Sequence, residues 1–140
     1  MTFKFLEKIA IADIAFEATA PTLNGLFEEA ARAASDIMVN PKTVKPKLKK
    51  TIKISANSLQ NLMYDFLSEF IYLKDTKGLL FVKFSVKVDE KKCSLVCTAV
   101  GEKIDRKRHD LRNDLKAITM HMFLLEKRPK GWYLRIVVDI

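Results

Sequence analysis

The chain has 140 residues, and its 25 Lys and Arg exceed its 17 Asp and Glu, which gives a formal net charge of +8. A hydrophobic fraction of 49% with 30% charged residues is typical of a globular protein and argues against disorder. No apolar run approaches the roughly 20 residues that cross a bilayer, and the first residues lack the apolar stretch of a secretion signal. We expect a single cytoplasmic domain over 1–140, without a membrane, in which 40–78 could form a small helix-containing insertion.

The first half of the chain predicts two short strands, at 3–7 and 13–18, followed by two amphipathic helices. The first helix begins near Thr22, carries its apolar residues at helical spacing and ends before Pro41. A strand is expected at 48–55. Ser58 then caps a second helix, which stops at Gly78.

The second half predicts antiparallel strands. Residues 82–88 alternate between apolar and polar side chains, and a second strand follows the turn at 89–92. After a polar stretch over 101–114, a hairpin is expected from strands 115–126 and 132–139, with Asp139 opposite Thr119 to within one residue. Helices early and hairpins late predict an α+β fold, with two amphipathic helices packed on one face of a mixed, largely antiparallel sheet.

Familiar catalytic motifs are absent from the sequence, including the Gly-rich phosphate loop and His-Glu-x-x-His. His121 lies in the predicted strand over 117–124, where we expect it to pack within the sheet. His109 follows Arg108 in a charged stretch, which favours a surface loop over a general base. A metal-dependent hydrolase is therefore the weakest functional hypothesis.

Two carboxylates near the ends of the sequence are more informative. Asp13 lies in an apolar setting, where a charged group needs a partner. Asp139 ends an apolar strand beside Ile140, and the hairpin register places it within reach of Lys116. Carboxylate oxygens together suit Ca²⁺, Mg²⁺ or Mn²⁺ rather than Zn²⁺. On spacing alone, solvated strand ends are the simpler interpretation.

A run of lysines over 42–53 has no acidic residue beside it. It could contact phosphates, or it could be a solvated linker and an edge strand that its charges keep from aggregating. No aromatic residues are interleaved with the lysines, which weakens the hypothesis of single-strand binding through base stacking.

The order and spacing of many residues resemble the archease family over nearly the whole chain. In the first half, the matching segments are Phe5 to Glu7, Ala12 to Ile14, Tyr64 to Glu69, and Gly78. The most specific block is the second half, with Gly101-Glu102, Arg108-His109, Lys116 to Thr119, His121, Trp132 and Asp139-Ile140.

The resemblance implies an α+β, non-catalytic accessory protein that activates an RtcB-type tRNA-splicing ligase by promoting its guanylylation and multiple turnover. It also implies a chaperone-like role toward a tRNA methyltransferase, with tRNA itself contacted indirectly or weakly. A basic tRNA-binding module that uses the lysines of 42–53 is a further alternative.

By match to the family pattern, a divalent cation would bind to Asp13, Asp139 and the carboxylate of Ile140. Ca²⁺ is the first expectation, with Mg²⁺ or Mn²⁺ as alternatives. Lys116 would contact phosphate or the partner protein. The weaker site candidates are Arg108, His109 and His121.

Overall fold

The computed structural model describes residues 1–6 and 13–140, which form two helices and two antiparallel sheets. The helices are α1 (Leu23–Met38) and α2 (Leu59–Lys77), and a short 3-10 helix spans Pro41–Thr43. The strands are β1 (Thr2–Phe5), β2 (Asp13–Ala20), β3 (Leu48–Ser55), β4 (Leu79–Asp89), β5 (Ser94–Lys103), β6 (Ala117–Ile118), β7 (Leu124–Arg128) and β8 (Gly131–Asp139). One sheet has the order β1-β2-β8-β6, with β7 also paired to β8, and the other has the order β3-β5-β4.

The predicted α+β class is confirmed, and the structure adds how its layers are arranged. The strands divide between two sheets instead of forming one, and every pairing among the described strands is antiparallel. Helix α1 contacts β2 of one sheet and β4 of the other, so it lies against both sheets. Neither helix of the described chain is long and apolar enough to cross a membrane.

Both helices begin and end where local signals in the sequence predict. The Oγ1 of Thr22 accepts the N–H of Gly25 at 3.0 Å at the start of α1. The Oγ of Ser58 accepts the N–H of Asn61 at 3.1 Å at the start of α2. Helix α2 ends at Gly78, whose φ of 62° is the left-handed conformation that glycine adopts without steric cost. The predicted strand over 3–7 corresponds to β1, and residue 7 lies outside the described residues.

A chain of aromatic rings connects the helices to β4. Phe66 of α2 lies 5.7 Å from Phe27 of α1 and 5.0 Å from Phe70, measured between ring centroids. Phe70 in turn lies 5.8 Å from Phe81 of β4. Ile52 of β3 belongs to the same buried cluster, so residues within 40–78 contribute to the common core. A distinct insertion over that range stays a prediction.

The turn of the last hairpin is tighter than predicted. Lys127 faces Trp132 and Arg128 faces Gly131, which leaves a two-residue turn at 129–130. The predicted five-residue turn was therefore wrong, and the pairing of β7 with β8 is shifted by one residue.

The first strand of that hairpin is also interrupted. Residues 119–123 leave the sheet between β6 and β7, and Met122 within this bend has a φ of 55°. As a result Asp139 pairs with Ala117 rather than with Thr119.

Candidate functional site

Asp13 and Asp139 lie directly opposite each other on neighbouring strands. Asp13 is the first residue of β2 and Asp139 is the last residue of β8, so antiparallel pairing brings both to the same end of the sheet. The pKa of Asp13 is raised, chiefly by a hydrogen bond between the two carboxyl groups and further by desolvation and the charge of Asp139. Since two adjacent carboxylates resist ionising together, this pair is suited to hold a shared proton or a cation.

Lys116 approaches this pair from the other side of β8. Its backbone N–H donates a hydrogen bond of 2.9 Å to the carbonyl oxygen of Asp139. The next residue, Ala117, pairs with Asp139 in the sheet. The side chain of Lys116 is exposed, so its ammonium group is available to a partner at this end of the sheet.

Helix α2 fixes the backbone that leads into Lys116. The Nζ of Lys74 forms an ion pair with Asp114 and donates a hydrogen bond of 2.8 Å to the carbonyl oxygen of Leu115. The Leu115 side chain is fully buried. The ion pair with Lys74 holds the pKa of Asp114 below its usual value, and the charge of Lys116 adds to that effect. Lys116 therefore extends into solvent from a firmly anchored segment.

His121 lies near the carboxylate pair, but not in the environment that the sequence predicted. It is exposed in the bend over 119–123, where its N–H donates to the Oγ1 of Thr119 at 3.2 Å. The prediction that it packs within the sheet was wrong. His121 acts to lower the pKa of Asp13, against the larger raising effects of Asp139 and desolvation. The neighbouring Met120 and Met122 side chains are 49% and 43% exposed.

His109 and Arg108 belong to a different cluster, on the three-stranded sheet. The prediction of a surface loop was wrong for His109, which is buried with its Nε2 2.9 Å from the Oε2 of Glu102. The Nδ1 of His109 accepts the N–H of Asp105 at 2.9 Å, so the proton on Nε2 points at Glu102. Arg108 forms an ion pair with the other oxygen of Glu102.

Glu102 lies in the family-matching block at 101–102, but it was not among the predicted site residues. It is 3% exposed, and its carboxylate also accepts the backbone N–H of Lys45. The pKa of Glu102 is lowered to about 2, first by the Arg108 hydrogen bond and then by those from Lys45 and His109, against a desolvation that raises it. An acidic residue within β5, next to the buried Gly101, was the available signal, because a buried carboxylate needs partners. This cluster stabilises the fold, and it does not include the Asp13–Asp139 pair.

The donor set at Asp13 and Asp139 fits a hard divalent cation. Carboxylate oxygens are the ligands that Ca²⁺, Mg²⁺ and Mn²⁺ prefer. Within 1–6 and 13–140, no three His, Cys, Asp or Glu side chains converge in a metal-binding group. The pair therefore offers two side-chain ligands, and further ligands would have to come from main-chain oxygen, water or a partner.

These features define a small α+β protein whose distinctive polar site is a carboxylate pair at the end of a sheet, next to an anchored lysine. A model of the Archease protein family matches residues 3–140, and the chain belongs to this family. The resemblance in the sequence is thereby confirmed.

Relatives share nearly the whole length of the chain. It is 38% identical to the protein archease of Pyrococcus furiosus over 132 residues, which cover 92% of this chain and 93% of that protein. It is 37% identical to the protein archease of Sulfurisphaera tokodaii over 138 residues, which cover 99% and 98%.

Solved structures agree with the fold. The solution structure of Methanobacterium thermoautotrophicum protein 1598 superposes with a TM-score of 0.84 at 33% identity, covering 99% of this chain and 98% of that one. A crystal structure from Thermotoga maritima, described as an archease and possible chaperone, superposes with a TM-score of 0.66 over 96% and 97% of the two chains. At 20% identity, this second likeness supports the fold alone.

Proposed function

We propose that this archease is a non-catalytic accessory protein of the cytoplasm that activates an RtcB-type tRNA-splicing ligase, promoting its guanylylation and multiple turnover. The observation that carries the proposal is the direct pairing of Asp13 with Asp139, next to the anchored Lys116. Membership of the archease family supports it, since the resemblance implies this role for these same residues.

In this proposal Asp13, Asp139 and the carboxylate of Ile140 hold a divalent cation, with Ca²⁺ as the first expectation and Mg²⁺ or Mn²⁺ as alternatives. When bound, such a cation would supply positive charge that stabilises the phosphate charge developing during nucleotidyl transfer. Asp13 and Asp139 extend from paired positions of neighbouring strands, so the sheet fixes the separation of their backbones. Lys116 contacts phosphate or a carboxylate of the ligase from the same end of β8.

The bend that carries His121 supports a protein partner at this end of the molecule. Met120 and Met122 leave large apolar side chains in solvent on the bend between β6 and β7. Methionine side chains adapt to irregular apolar surfaces and are common at protein-binding sites. Chaperone activity toward a tRNA methyltransferase is the alternative, and the described residues contain nothing that favours it over the ligase.

A multiple-turnover ligation assay with an RtcB-type ligase tests the proposal. The variant is Asp139→Asn, which keeps the shape of the side chain and removes its charge. The matched control is Asp65→Asn, because Asp65 is an exposed carboxylate on α2. We expect the control to activate like the wild type and Asp139→Asn to lose most of the activation while single-turnover joining by pre-guanylylated ligase is unchanged. Multiple turnover at the wild-type level with Asp139→Asn would overturn the proposal.

A further inference from the structure

The outward side of the three-stranded sheet carries a regular array of cationic and hydroxyl side chains. The strand register aligns residues of β3, β5 and β4 into three successive rows. The rows are Lys49-Val100-Lys83, Thr51-Thr98-Ser85 and Lys53-Val96-Lys87. Two pairs of lysines therefore flank a central band of three hydroxyls, and we call this surface the lysine face.

The lysine face is open to solvent because the helices cover the opposite side of the sheet. Side chains alternate between the two sides of a strand, and the intervening residues Ile52, Cys97 and Val86 are buried. Phe84 packs against Phe70 of α2 with ring centroids 5.2 Å apart, on that buried side. All four lysines of the lysine face are exposed.

The positive charge of this surface is not neutralised from within. Among the described residues, none of its four lysines forms an ion pair. Asp89, at one end, accepts the backbone N–H of Lys92. Beyond the other end, Glu102 and Asp105 are both engaged by Arg108.

Protection of a sheet edge does not account for the array. Lysines on the edge strand β3 could serve to prevent pairing with another strand. The edge of β4, however, is already covered by α1. The N–H of Val86 donates to Glu28 at 2.9 Å, and the N–H of Val88 donates to Asn24 at 2.8 Å. The two lysines of β4 thus need another explanation.

The structure also separates this surface from the lysine run in the sequence. Of the lysines over 42–53, only Lys49 and Lys53 point outward from the sheet. Lys50 points to the other side of the sheet and is half-buried. The Nζ of Lys47 lies 3.9 Å from the Oε1 of Glu102. The run is not one surface, and half of the lysine face comes from β4.

We propose that the lysine face binds the sugar–phosphate backbone of duplex RNA across its minor groove. Lysines four residues apart on a strand are separated by roughly 13 Å, and those on β3 and β4 by roughly 10 Å. A surface of this size can lie on the wide, shallow minor groove of A-form RNA, which displays phosphates and 2′-hydroxyls. The lysines neutralise phosphates, and the central hydroxyls of Thr51, Thr98 and Ser85 bond to the 2′-hydroxyls. No aromatic side chain lies in the three rows, so bases are not stacked, and contacts to phosphates and 2′-hydroxyls make binding independent of base sequence.

Binding of a fluorescent RNA duplex to the purified protein tests the proposal, without ligase and with EDTA present, so that the outcome is separate from ligase activation. The test variant changes four lysines to Gln: Lys49, Lys53, Lys83 and Lys87. The control variant changes four exposed lysines outside the three rows to Gln: Lys42, Lys77, Lys127 and Lys130. Circular dichroism confirms that both variants are folded.

Neutralising four phosphates should make wild-type affinity fall on the order of 100-fold between 50 and 200 mM salt. We expect the test variant to lose most of its affinity and of this salt dependence, and the control variant to keep more of both. Thr98→Val should reduce the ratio of the affinity for the RNA duplex to the affinity for a DNA duplex of the same sequence. Equal salt dependence in the two variants, or competition by polyglutamate as effective as that by RNA, would overturn the proposal. Equal affinity of the wild type for the two duplexes would overturn the role of the hydroxyls.

Discussion

Replacing Glu102 by Gln should destabilise the protein strongly, although the two side chains have the same shape. Glu102 is 3% exposed and is bonded to Arg108, His109 and the backbone of Lys45. The amide of Gln can retain only part of these bonds. The substitution also removes the strongest charge partner of the Arg108 guanidinium. Asp105 remains, with its Oδ2 3.9 Å from the Nε of Arg108.

The magnitude follows from the burial of the two partners. Removing one member of a buried ion pair costs about 3–5 kcal/mol of unfolding free energy. The side chain of Arg108 is 33% exposed and can reach water, which favours the lower end, about 3 kcal/mol. For a domain of this size, that corresponds to a decrease in melting temperature of roughly 10 °C. Lys47→Gln is the control, because its Nζ lies 3.9 Å from Glu102 and its side chain is 62% exposed.

The pH dependence of stability gives an independent test of the Glu102 cluster. The pKa of Glu102 is lowered from its ordinary 4.5 to about 2, so its ionised form stabilises the folded state. That contribution is complete above pH 4.5 and is lost as the pH falls through 2. As the pH falls over this range, the free energy of unfolding measured with urea should therefore decrease more for the wild type than for Glu102→Gln. Parallel pH profiles, or a difference at pH 7 of less than about 0.5 kcal/mol, would refute the reasoning.

Two further predictions concern the core and the carboxylate pair. Gly101→Ala should prevent native folding, because a Cβ there would lie 1.8 Å from the carbonyl oxygen of Leu80. Circular dichroism and the yield of soluble protein measure the loss of folding. A melting curve like that of the wild type would contradict the prediction. Ca²⁺ at about 100 times its Kd should raise the unfolding free energy of the wild type by about 2.7 kcal/mol. The same addition should leave Asp13→Asn unchanged in a thermal shift assay with an EDTA control, and equal shifts in both proteins would exclude Asp13 as a ligand.

Local signals predicted the helices well because each helix end depends on residues close in sequence. Ser58 and Gly78 bound α2 through their own hydrogen bonding and backbone conformation. The last hairpin shows the limit of such signals. Residues 127–131 all suit a turn, and only the tertiary packing selects the two-residue turn over the five-residue one. The φ of 55° at Met122 has no signal in the sequence, since methionine rarely adopts it.

The candidate site was predicted in part. The approach of Lys116 to Asp139 follows from a local hairpin, and the shift of register changed only the residue that faces Asp139. The pairing of Asp13 with Asp139 depends on β2 lying beside β8, which no local pattern specifies. The burial of His109 escaped prediction because its partner Glu102 lies on a strand, while His109 itself lies in a highly charged stretch.

The pairing of β2 with β8 also sets when the carboxylate pair can exist. Asp13 is synthesised well before its counterpart Asp139, which lies far later in the sequence. Contacts between such distant segments form late in folding, because the long intervening loop must first be closed. A nascent chain from which residue 139 has not yet emerged therefore offers only single carboxylates to a cation. Occupancy of the pair requires that β2 and β8 have met, so a partner that recognises the occupied pair would engage only molecules whose five-stranded sheet has formed.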